Sequence, residues 1–372
     1  MKLGILCTMI NGFGRRGYYN SQEIGLGRAL ARKGHEVMIY KGIDPSEKEE
    51  KVQVEKNLTI WYLPMKHLGA HGFMDCKYLD PQLKALFCFG DQQIFLPHVY
   101  RWCRRRRIPF VAYVGTAHSL DSNFKSKVMN ALFAAGTLRI YKKNPVLAKT
   151  SAAKEELRQL GVPHAVIAPV GLDTAVLKKN IPADEKMRLR KEHGFEADDV
   201  ILCNVSRLSW EKRPLELIDL FLQVKGKKKF KLIIVGNGPL EEELNEKIRK
   251  NGLEKEVKIY PNVPYEKMWE IYEMSDYYLN MNKGEIFGMA IMEAVYYKTS
   301  VAAIRALGPS VTLKDMKGHK LCENDDEMAE WIIGPYPSEK DLQESSEKMA
   351  ATFTWDRCAD AFLQASSEKS SR

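Results

Sequence analysis

Two glutamates, Glu285 and Glu293, enclose the segment of this chain that is most informative about its chemistry. The overlapping stretch Gly288–Tyr297 has the composition of a buried helix. A helix that begins near Phe287 or Gly288 directs free backbone N–H groups and a partial positive charge from its first turn, which suits a phosphate. Glu285 would precede that end, with Glu293 about two turns inside the helix. Carboxylates there suit hydroxyl donors, such as a ribose and a sugar on either side of a diphosphate. The spacing fits equally well a core helix with two incidental glutamates.

Two basic residues, Arg207 and Lys212, follow the apolar stretch Asp199–Val205, which we predict to be a strand. Residues beyond the carboxyl end of a parallel strand face the crevice in which α/β proteins bind ligands. A guanidinium offers a planar fork and an ammonium a compact charge, and together they neutralise a diphosphate well. By position alone, either residue could instead lie on the open surface.

A glycine-rich segment, Gly12-Phe13-Gly14-Arg15-Arg16-Gly17, follows the first predicted strand and matches the pattern G-x-G-x-x-G. Its glycines would let the backbone approach a phosphate closely. The dinucleotide fingerprint also needs an acidic residue at the end of the next strand, which here ends in Tyr40-Lys41. Nicotinamide or flavin binding, a substrate loop and a structural turn therefore all remain open.

A single histidine, His118, follows the predicted strand Phe110–Val114 and would face a crevice of the same kind. Lone histidines are often structural, so a core role and a functional role both stay open. Two acidic pairs, Asp198-Asp199 and Asp325-Asp326, lie at the start of a predicted strand and of a predicted helix. Because neither pair is at the carboxyl end of a strand, we expect no metal site.

The composition is that of a soluble globular protein with two domains: 372 residues, of which 45% are apolar and 28% charged. No apolar run approaches the roughly 18 residues that span a bilayer. The first strand lies too near the start of the chain for a signal peptide. Seven cysteines without a C-x-x-C pair argue against a disulfide framework or a zinc site, and they fit a reducing cytoplasm.

Basic residues are concentrated in the first half of the chain. Residues 1–160 contain 26 lysines and arginines and 13 acidic residues, a net charge of +13, whereas the remainder carries −4. The excess is densest at Arg101–Arg107 and at Lys142-Lys143. This run is either a solvated face or a contact for an anionic acceptor or for the inner face of the cell membrane, where each charge contributes about 1 kcal/mol. Nucleic acid is not expected, because no binding module accompanies the run.

Short apolar runs alternate with helical patterns, which indicates βαβ units and parallel sheets in two similar halves joined near Pro169–Asp173. In the first half we predict a helix at Glu23–Lys33, ended by Gly34, and strands at Leu3–Cys7, Glu36–Tyr40, Leu58–Tyr62, Ile94–Phe95, Phe110–Val114, Val146–Ala148 and Ala165–Ile167. In the second half we predict helices at Pro214–Val224, Leu240–Lys250 and Tyr265–Met274, and strands at Asp199–Val205, Phe230–Val235, Val257–Tyr260, Tyr277–Met281 and Ser300–Ala303.

Taken together, these segments resemble the retaining glycosyltransferases of family four, which have the GT-B fold. The resemblance is carried by Ser206–Arg213, Val235–Leu240 and the two-glutamate segment in this order, with Gly34–Val37 and Phe353–Trp355 as weaker members. It implies an α/β protein with two Rossmann-like domains facing a central cleft. Residues 1–170 would bind the acceptor, residues 171–350 the nucleotide sugar, and residues 351–372 would form a helix that returns to the N-terminal domain.

The resemblance also implies a role for each candidate residue. Glu293 would accept hydrogen bonds from the ribose, and Glu285 would hold hydroxyls of the transferred sugar. Arg207 and Lys212 would neutralise the diphosphate. The remaining implied contacts are Phe287, Gly288 and Met289 around the donor, Gly236 in the loop Val235–Leu240, Val263 near the nucleobase, Gly14 near the phosphates and His118 at the sugar.

Three positions depart from the family's pattern. Ser206 stands where glycine often precedes the arginine, Arg213 where glycine often follows the lysine, and Ile286 where glycine is frequent. The segment Gly12–Gly17 lacks the usual pair of adjacent glycines, so the resemblance supports the contacts implied for this segment least.

The implied activity is transfer of a sugar from a nucleoside-diphosphate sugar, most often UDP-linked, to a glycan, glycolipid or small-molecule acceptor. It needs no cofactor and no metal. Negative charge develops on the departing diphosphate, and Arg207, Lys212 and the helix start would stabilise it. The family's same-face attack, with retention, is expected. The alternatives are an NAD(P)-dependent oxidoreductase using the Gly12–Gly17 turn, a GT-B sugar-nucleotide epimerase and a catalytically silent binding protein.

Overall fold

The computed structural model describes residues 1–10, 21–117 and 124–368. These residues form two compact units, each with its own sheet. The first unit comprises the described residues up to Asp173 together with those from Phe353 onward, and the second comprises Thr174–Thr352. Gly14 and His118 lie outside the described residues, so their roles stay predictions.

The first unit is built on an eight-stranded sheet. The strands of this unit are β1 (Lys2–Cys7), β2 (Glu36–Ile43), β3 (Glu50–Glu55), β4 (Leu58–Pro64), β5 (His67–Leu68), β6 (His71–Gly72), β7 (Ala85–Phe89), β8 (Phe110–Val114), β9 (Val146–Ala148) and β10 (Val166–Ile167). The sheet order is β10-β9-β8-β7-β1-β2-β4-β3, and β5 pairs only with β6. All pairs in the sheet are parallel except that of β3 with β4. Strands β7 and β8 are buried along their whole length, as expected for a parallel sheet covered on both faces.

Five helices connect these strands: α1 (Gln22–Arg32), α2 (Leu96–Arg105), α3 (Phe124–Ala135), α4 (Thr137–Tyr141) and α5 (Ser151–Gln159). Helix α1 ends where predicted, because Gly34 adopts a φ of +82° that suits glycine at a helix end. Helix α5 begins where the side chain of Thr150 accepts a hydrogen bond from the backbone N–H of Ala153.

The second unit contains a six-stranded parallel sheet. Its strands are β11 (Val200–Val205), β12 (Phe230–Val235), β13 (Val257–Tyr260), β14 (Tyr277–Asn280), β15 (Ser300–Ile304) and β16 (Lys320–Cys322), in the order β13-β12-β11-β14-β15-β16. Its helices are α6 (Glu185–Glu192), α7 (Pro214–Val224), α8 (Glu241–Lys250), α9 (Met268–Met274), α10 (Met289–Tyr296), α11 (Leu307–Thr312), α12 (Asp325–Ile333) and α13 (Glu339–Thr352). The chain winds outward in one direction from β11 and then in the other from β14, as in a doubly wound Rossmann sheet.

The last helix, α14 (Trp355–Glu368), belongs to the first unit and packs on α1. Trp355 is fully buried, and a Cβ atom built on Gly25 would lie only 2.2 Å from its Nε1 atom. Farther along, the ring of Phe362 meets the ring of Phe87 in β7 edge-on, with centroids 5.0 Å apart. The helix therefore completes the core of the first unit.

One predicted strand is wrong. Residues Ile94–Phe95 precede helix α2, and the strand at this point of the sheet is Ala85–Phe89. This strand is apolar at every position because it pairs with β1 on one side and β8 on the other. Without alternation, its pattern gives no sign of a strand period. Strands β3 and β16 were also not predicted, and both lie at the edges of their sheets.

Burial of one histidine of the second unit makes the stability of the protein depend on pH. Burial lowers the pKa of His319 to about 4, and its Nδ1 accepts a hydrogen bond from the backbone N–H of Val301 at 3.0 Å. The unfolded chain has the ordinary pKa of about 6.5, so it takes up the proton first as the pH falls. The stabilising effect of the neutral ring is therefore complete above about pH 6.5 and is lost progressively toward pH 4.

We expect this group to lower the free energy of unfolding by about 2 kcal/mol between pH 7 and pH 5. In His319→Gln, whose amide oxygen can still accept from Val301, that part of the pH dependence should disappear. Urea unfolding at both pH values measures the difference between wild type and variant. Equal pH dependence in the two proteins would contradict the expectation.

Candidate functional site

The predicted site residues of the second unit gather at one edge of its sheet. Because its six strands are parallel, the loops that follow them leave from the same, carboxyl edge. Strands β11 and β14 are neighbours, and the strand order changes direction between them, which is where open α/β sheets bind ligands. Arg207 and Lys212 follow β11, and Glu285 and Gly288 follow β14.

The structure brings Lys212 and Glu285 into direct contact. The Nζ atom of Lys212 lies 2.8 Å from Oε2 of Glu285, and the two side chains are 22% and 16% exposed. The side-chain amide of Asn282 donates to the same Oε2 atom at 3.1 Å. Asn282 is itself held by Asn280, whose Oδ1 accepts its backbone N–H at 3.0 Å. The carboxylate is therefore fixed in place and remains in reach of solvent.

These contacts decide the charge of Glu285. Burial by itself raises its pKa, but the charge and hydrogen bond of Lys212, with hydrogen bonds from Asn282 and Asn280, outweigh burial and lower the pKa below its ordinary value. At neutral pH the group is a carboxylate and can only accept hydrogen bonds. It is suited to hold the hydroxyls of a sugar.

Helix α10 begins where the sequence predicts. Its first residue is Met289, and Gly288 before it has a φ of +83°, a left-handed conformation that favours glycine. The first-turn N–H groups have no partner within the helix itself and can bind an anion. The position of Glu293 differs from the prediction. It is the fifth residue of the helix, little more than one turn from the start and not two.

Glu293 is buried, and its Oε2 atom accepts a hydrogen bond from the hydroxyl of Tyr272 at 2.9 Å. Its contact with a ribose stays a prediction. The loop before α10 rests on Gly308 in α11, whose N–H donates to the carbonyl of Glu285 at 2.7 Å. A Cβ atom on Gly308 would lie 2.6 Å from the nitrogen of Phe287, which is itself buried. The neighbouring helix thus sets the position of the loop.

Arg207 takes a more exposed place than Lys212. Its guanidinium forms an ion pair with Glu211 at 2.8 Å, and both side chains are about half exposed. The two cations share the loop after β11, but only Lys212 is shown to contact Glu285. A joint contact of Arg207 and Lys212 with a diphosphate stays a prediction.

Gly236 allows the loop of Arg207 to pack closely against the loop after β12. Gly236 has a φ of +140°, and a Cβ atom there would lie 1.9 Å from the carbonyl oxygen of Ser206. The N–H of Leu208 donates to the carbonyl of Asn237 at 2.9 Å. Asn237 in turn donates to the side chain of Asn262 at 2.8 Å. The loops after β11, β12 and β13 thus form one connected wall, with Val263, the residue predicted near the nucleobase, partly buried in the third.

This close approach gives a stability prediction. In Gly236→Ala the added methyl group must push the two loops apart, and we expect a loss of at least about 2 kcal/mol in the free energy of unfolding. Gly252→Ala is the matched control, because Gly252 also has a positive φ, of +61°, but no atom lies within 4 Å of its Cβ position. Urea unfolding of both variants checks this, and equal losses would refute the proposed clash.

The structure explains why arginine is accepted at position 213. Arg213 has a φ of +55°, in the left-handed region that favours the glycine common in the family. Its guanidinium makes two parallel hydrogen bonds to Asp325 at 3.0 and 2.8 Å. This bidentate contact compensates part of the backbone strain.

Sequence reasoning missed three residues that support the site: Asn280, Asn282 and Gly308. The two asparagines could have been noticed, because polar amides directly after a buried parallel strand lie at the ligand-binding edge. Gly308 has no comparable signal in the sequence. Its role depends on the contact between α11 and the loop before α10.

The described residues contain neither a candidate metal cluster nor a candidate membrane-spanning helix. In ranges 1–10, 21–117 and 124–368, no cluster of three or more histidine, cysteine, aspartate or glutamate side chains could hold a metal ion. Within the same ranges, no helix has both the length and the apolar character needed to cross a bilayer.

Comparison with known proteins shows similarity to glycosyltransferases. Residues 185–349 match the family model described as glycosyl transferases group 1. D-inositol 3-phosphate glycosyltransferase of Xylanimonas cellulosilytica is 23% identical over 97% of this chain and 94% of its own. Alpha-monoglucosyldiacylglycerol synthase of Acholeplasma laidlawii is 20% identical over 73% of each chain. The solved structure of Anabaena Alr3699/HepE in complex with UDP and glucose has a TM-score of 0.71 at 16% identity, covering 99% of this chain and 100% of that one.

The matched residues 185–349 contain Arg207, Lys212, Glu285 and Glu293, and so include the carboxyl edge described above. The structural likeness extends over both units and identifies the fold as GT-B. We conclude that the protein is a glycosyltransferase with a GT-B fold, and that its residues 185–349 are similar to the group 1 glycosyl transferases.

Proposed function

We propose that the protein transfers a sugar from a UDP-sugar to an acceptor in glycan or glycolipid biosynthesis, with retention of anomeric configuration and without a metal ion or cofactor. The observation that carries the proposal is the contact of Lys212 with Glu285 ahead of helix α10, where the strand order reverses. Uridine is favoured by the similarity in fold to Anabaena Alr3699/HepE, whose structure was solved in complex with UDP and glucose.

The chemistry follows from the charges at this edge. A diphosphate at the start of α10 would attract Lys212, which would loosen its ion pair with Glu285. The carboxylate of Glu285 would then accept a hydrogen bond from a hydroxyl of the transferred sugar, while Asn282 keeps its hydrogen bond to Oε2. Arg207 would turn from Glu211 to the phosphates, and Glu293 would accept from the ribose.

The same groups would drive the transfer. As the anomeric C–O bond breaks, negative charge grows on the departing diphosphate, and Lys212, Arg207 and the N–H groups of α10 stabilise it. These groups supply the positive charge that a divalent ion would otherwise bring, which is why we propose a metal-free reaction. For retention, the acceptor would attack from the face that the diphosphate leaves, and the phosphate would take its proton.

The acceptor is proposed to bind the first unit, with Gly14 and His118 contributing from outside the described residues. Peripheral contact with the inner face of the cell membrane belongs to the same proposal. The oxidoreductase alternative gains no support from the relatives, which are named glycosyltransferases. Strand β2 continues past Lys41, whose ion pair with Glu23 is buried, to Ile43.

A donor screen tests the proposal. Thermal-shift measurements with UDP, GDP and ADP should show the largest stabilisation with UDP. Hydrolysis of a panel of UDP-sugars should then release UDP from one of them, at the same rate with and without EDTA. Proton NMR of the product of transfer to an acceptor should show that the new glycosidic bond has the anomeric configuration of the donor.

Three results would count against the proposal: a strict requirement for a divalent ion, an inverted product, or interconversion of nucleotide sugars with no acceptor consumed. The last would favour the epimerase. A change in nicotinamide absorbance would favour the oxidoreductase.

A further inference from the structure

Helix α3 turns an apolar face toward solvent. Phe124, Val128 and Leu132 are 82%, 41% and 47% exposed. Their spacing of four residues places them on one side of the helix, in a continuous stripe. Two further exposed residues, both alanines, continue the stripe at positions 131 and 135.

The opposite face of α3 is fixed to the first unit. Met129 and Phe133 are buried, and the ring of Phe133 meets that of Tyr141 in α4 edge-on at 5.7 Å. The side chain of Asn130 accepts a hydrogen bond from Gln92, which lies in the loop after β7. The helix is therefore held with its apolar stripe outward and is apolar on both faces, although the outer face of a surface helix is usually polar.

Such a stripe needs a partner, and the surrounding charges indicate which kind. Helix α3 has two lysines, of which Lys127 is exposed, and no acidic residue. Residues 124–143, which include α3 and α4, contain five lysines and arginines and no acidic residue. A second copy of the chain would bring the same positive charge against this surface. An anionic lipid surface instead satisfies both the apolar stripe and the charge.

We propose that α3 lies in the interface of an anionic membrane, with Phe124, Val128 and Leu132 among the acyl chains and Lys127 at the headgroups. Helix α3 follows the carboxyl end of β8, and its contact with Gln92 holds it beside the carboxyl end of β7. It therefore lies near the edge of the first sheet at which α/β proteins bind ligands. If the proposed function holds, this position brings a lipid-linked acceptor to the first unit directly from the membrane.

The basic run Arg101–Arg107 lies elsewhere. Because it leads into the start of β8, it lies toward the amino edge of the sheet, opposite to the start of α3. All five of its arginines are exposed, and Arg106 stacks on Trp102 with the guanidinium carbon 4.6 Å from the ring centroid. The two surfaces can therefore be tested separately.

The test is sedimentation of the full chain with vesicles, without any nucleotide sugar, so that its outcome does not depend on the proposed activity. We expect binding to vesicles of equal phosphatidylglycerol and phosphatidylcholine, and much weaker binding to phosphatidylcholine alone. The double variant Phe124→Gln, Leu132→Gln should lower the partition coefficient at least about tenfold. Lys127→Glu should weaken binding to the anionic vesicles only.

Two variants serve as matched controls. Val176→Gln, Met187→Gln removes two apolar side chains of similar exposure, 42% and 45%, from the second unit, and it should bind like wild type. Arg104→Gln, Arg105→Gln tests the other surface and should reduce binding less than the α3 variant does. Thermal unfolding by circular dichroism confirms that each variant is folded.

Three results would overturn the proposal. The first is no binding of the wild type to anionic vesicles. The second is wild-type binding by the folded α3 variant, with the loss found in the arginine variant. The third is a dimer, seen by analytical ultracentrifugation, that the α3 variant abolishes while vesicle binding is unchanged, because the stripe would then join two copies of the chain.

Discussion

Glu285→Ala is expected to lower the rate of sugar transfer at least about a hundredfold while UDP still binds. The carboxylate would hold the sugar, and its loss would remove contacts that strengthen in the transition state. UDP affinity should stay within a few-fold of wild type, because the change releases Lys212 from its ion pair and leaves it available to the diphosphate. Steady-state kinetics and titration calorimetry with UDP measure the two effects.

Glu330→Ala is the matched control, because it removes an exposed glutamate from α12 in the same unit. It should leave both transfer and UDP binding unchanged. Glu285→Gln separates charge from shape, since its amide keeps the size of the side chain but loses the ionic contact with Lys212. Unchanged turnover in Glu285→Ala would remove this residue from the proposed mechanism.

Lys212→Met is expected to lower kcat/KM for the donor at least about tenfold and to weaken UDP binding as well. The methionine keeps most of the apolar stem but removes the only charge shown to reach Glu285 among the described residues. Glu285 then loses the cation that offsets its burial, so its pKa should rise. Donor kinetics and UDP calorimetry distinguish this variant from Glu285→Ala, which should retain UDP.

The control is Lys283→Met, which removes an exposed lysine two positions before Glu285. If general electrostatic attraction explained the role of Lys212, the two variants would lose similar activity. Wild-type kinetics in folded Lys212→Met would exclude this lysine from the donor site.

The sequence predicted most elements of the second unit because short apolar runs there alternate with helical patterns and are bounded by turn residues. The bounds of β12, β13 and α7 agree residue for residue with the predictions at Phe230–Val235, Val257–Tyr260 and Pro214–Val224. The start of α10 was also predicted, because Gly288 separates a loop from a continuous apolar run. Failure came where the pattern had no period, as in β7, or where an edge strand was short, as in β16.

The site was predicted only as a set of residues, without their contacts. Lys212 and Glu285 are 73 positions apart, and they meet because β11 and β14 are neighbours in the sheet. No local pattern records that pairing. The support given by Gly308 and the close approach of Gly236 to Ser206 likewise depend on backbones that only the tertiary fold brings together.

The place of Trp355 beside Gly25 has a consequence for biosynthesis. On the ribosome, the N-terminal part of the first unit emerges early but lacks helix α14 until all of the second unit has been synthesised. The second unit can fold first, whereas the earlier residues of the first unit leave exposed the apolar surface that α14 later covers. A stop codon just before position 353 would therefore destabilise the first unit, although it leaves residues 174–352 of the second unit in place.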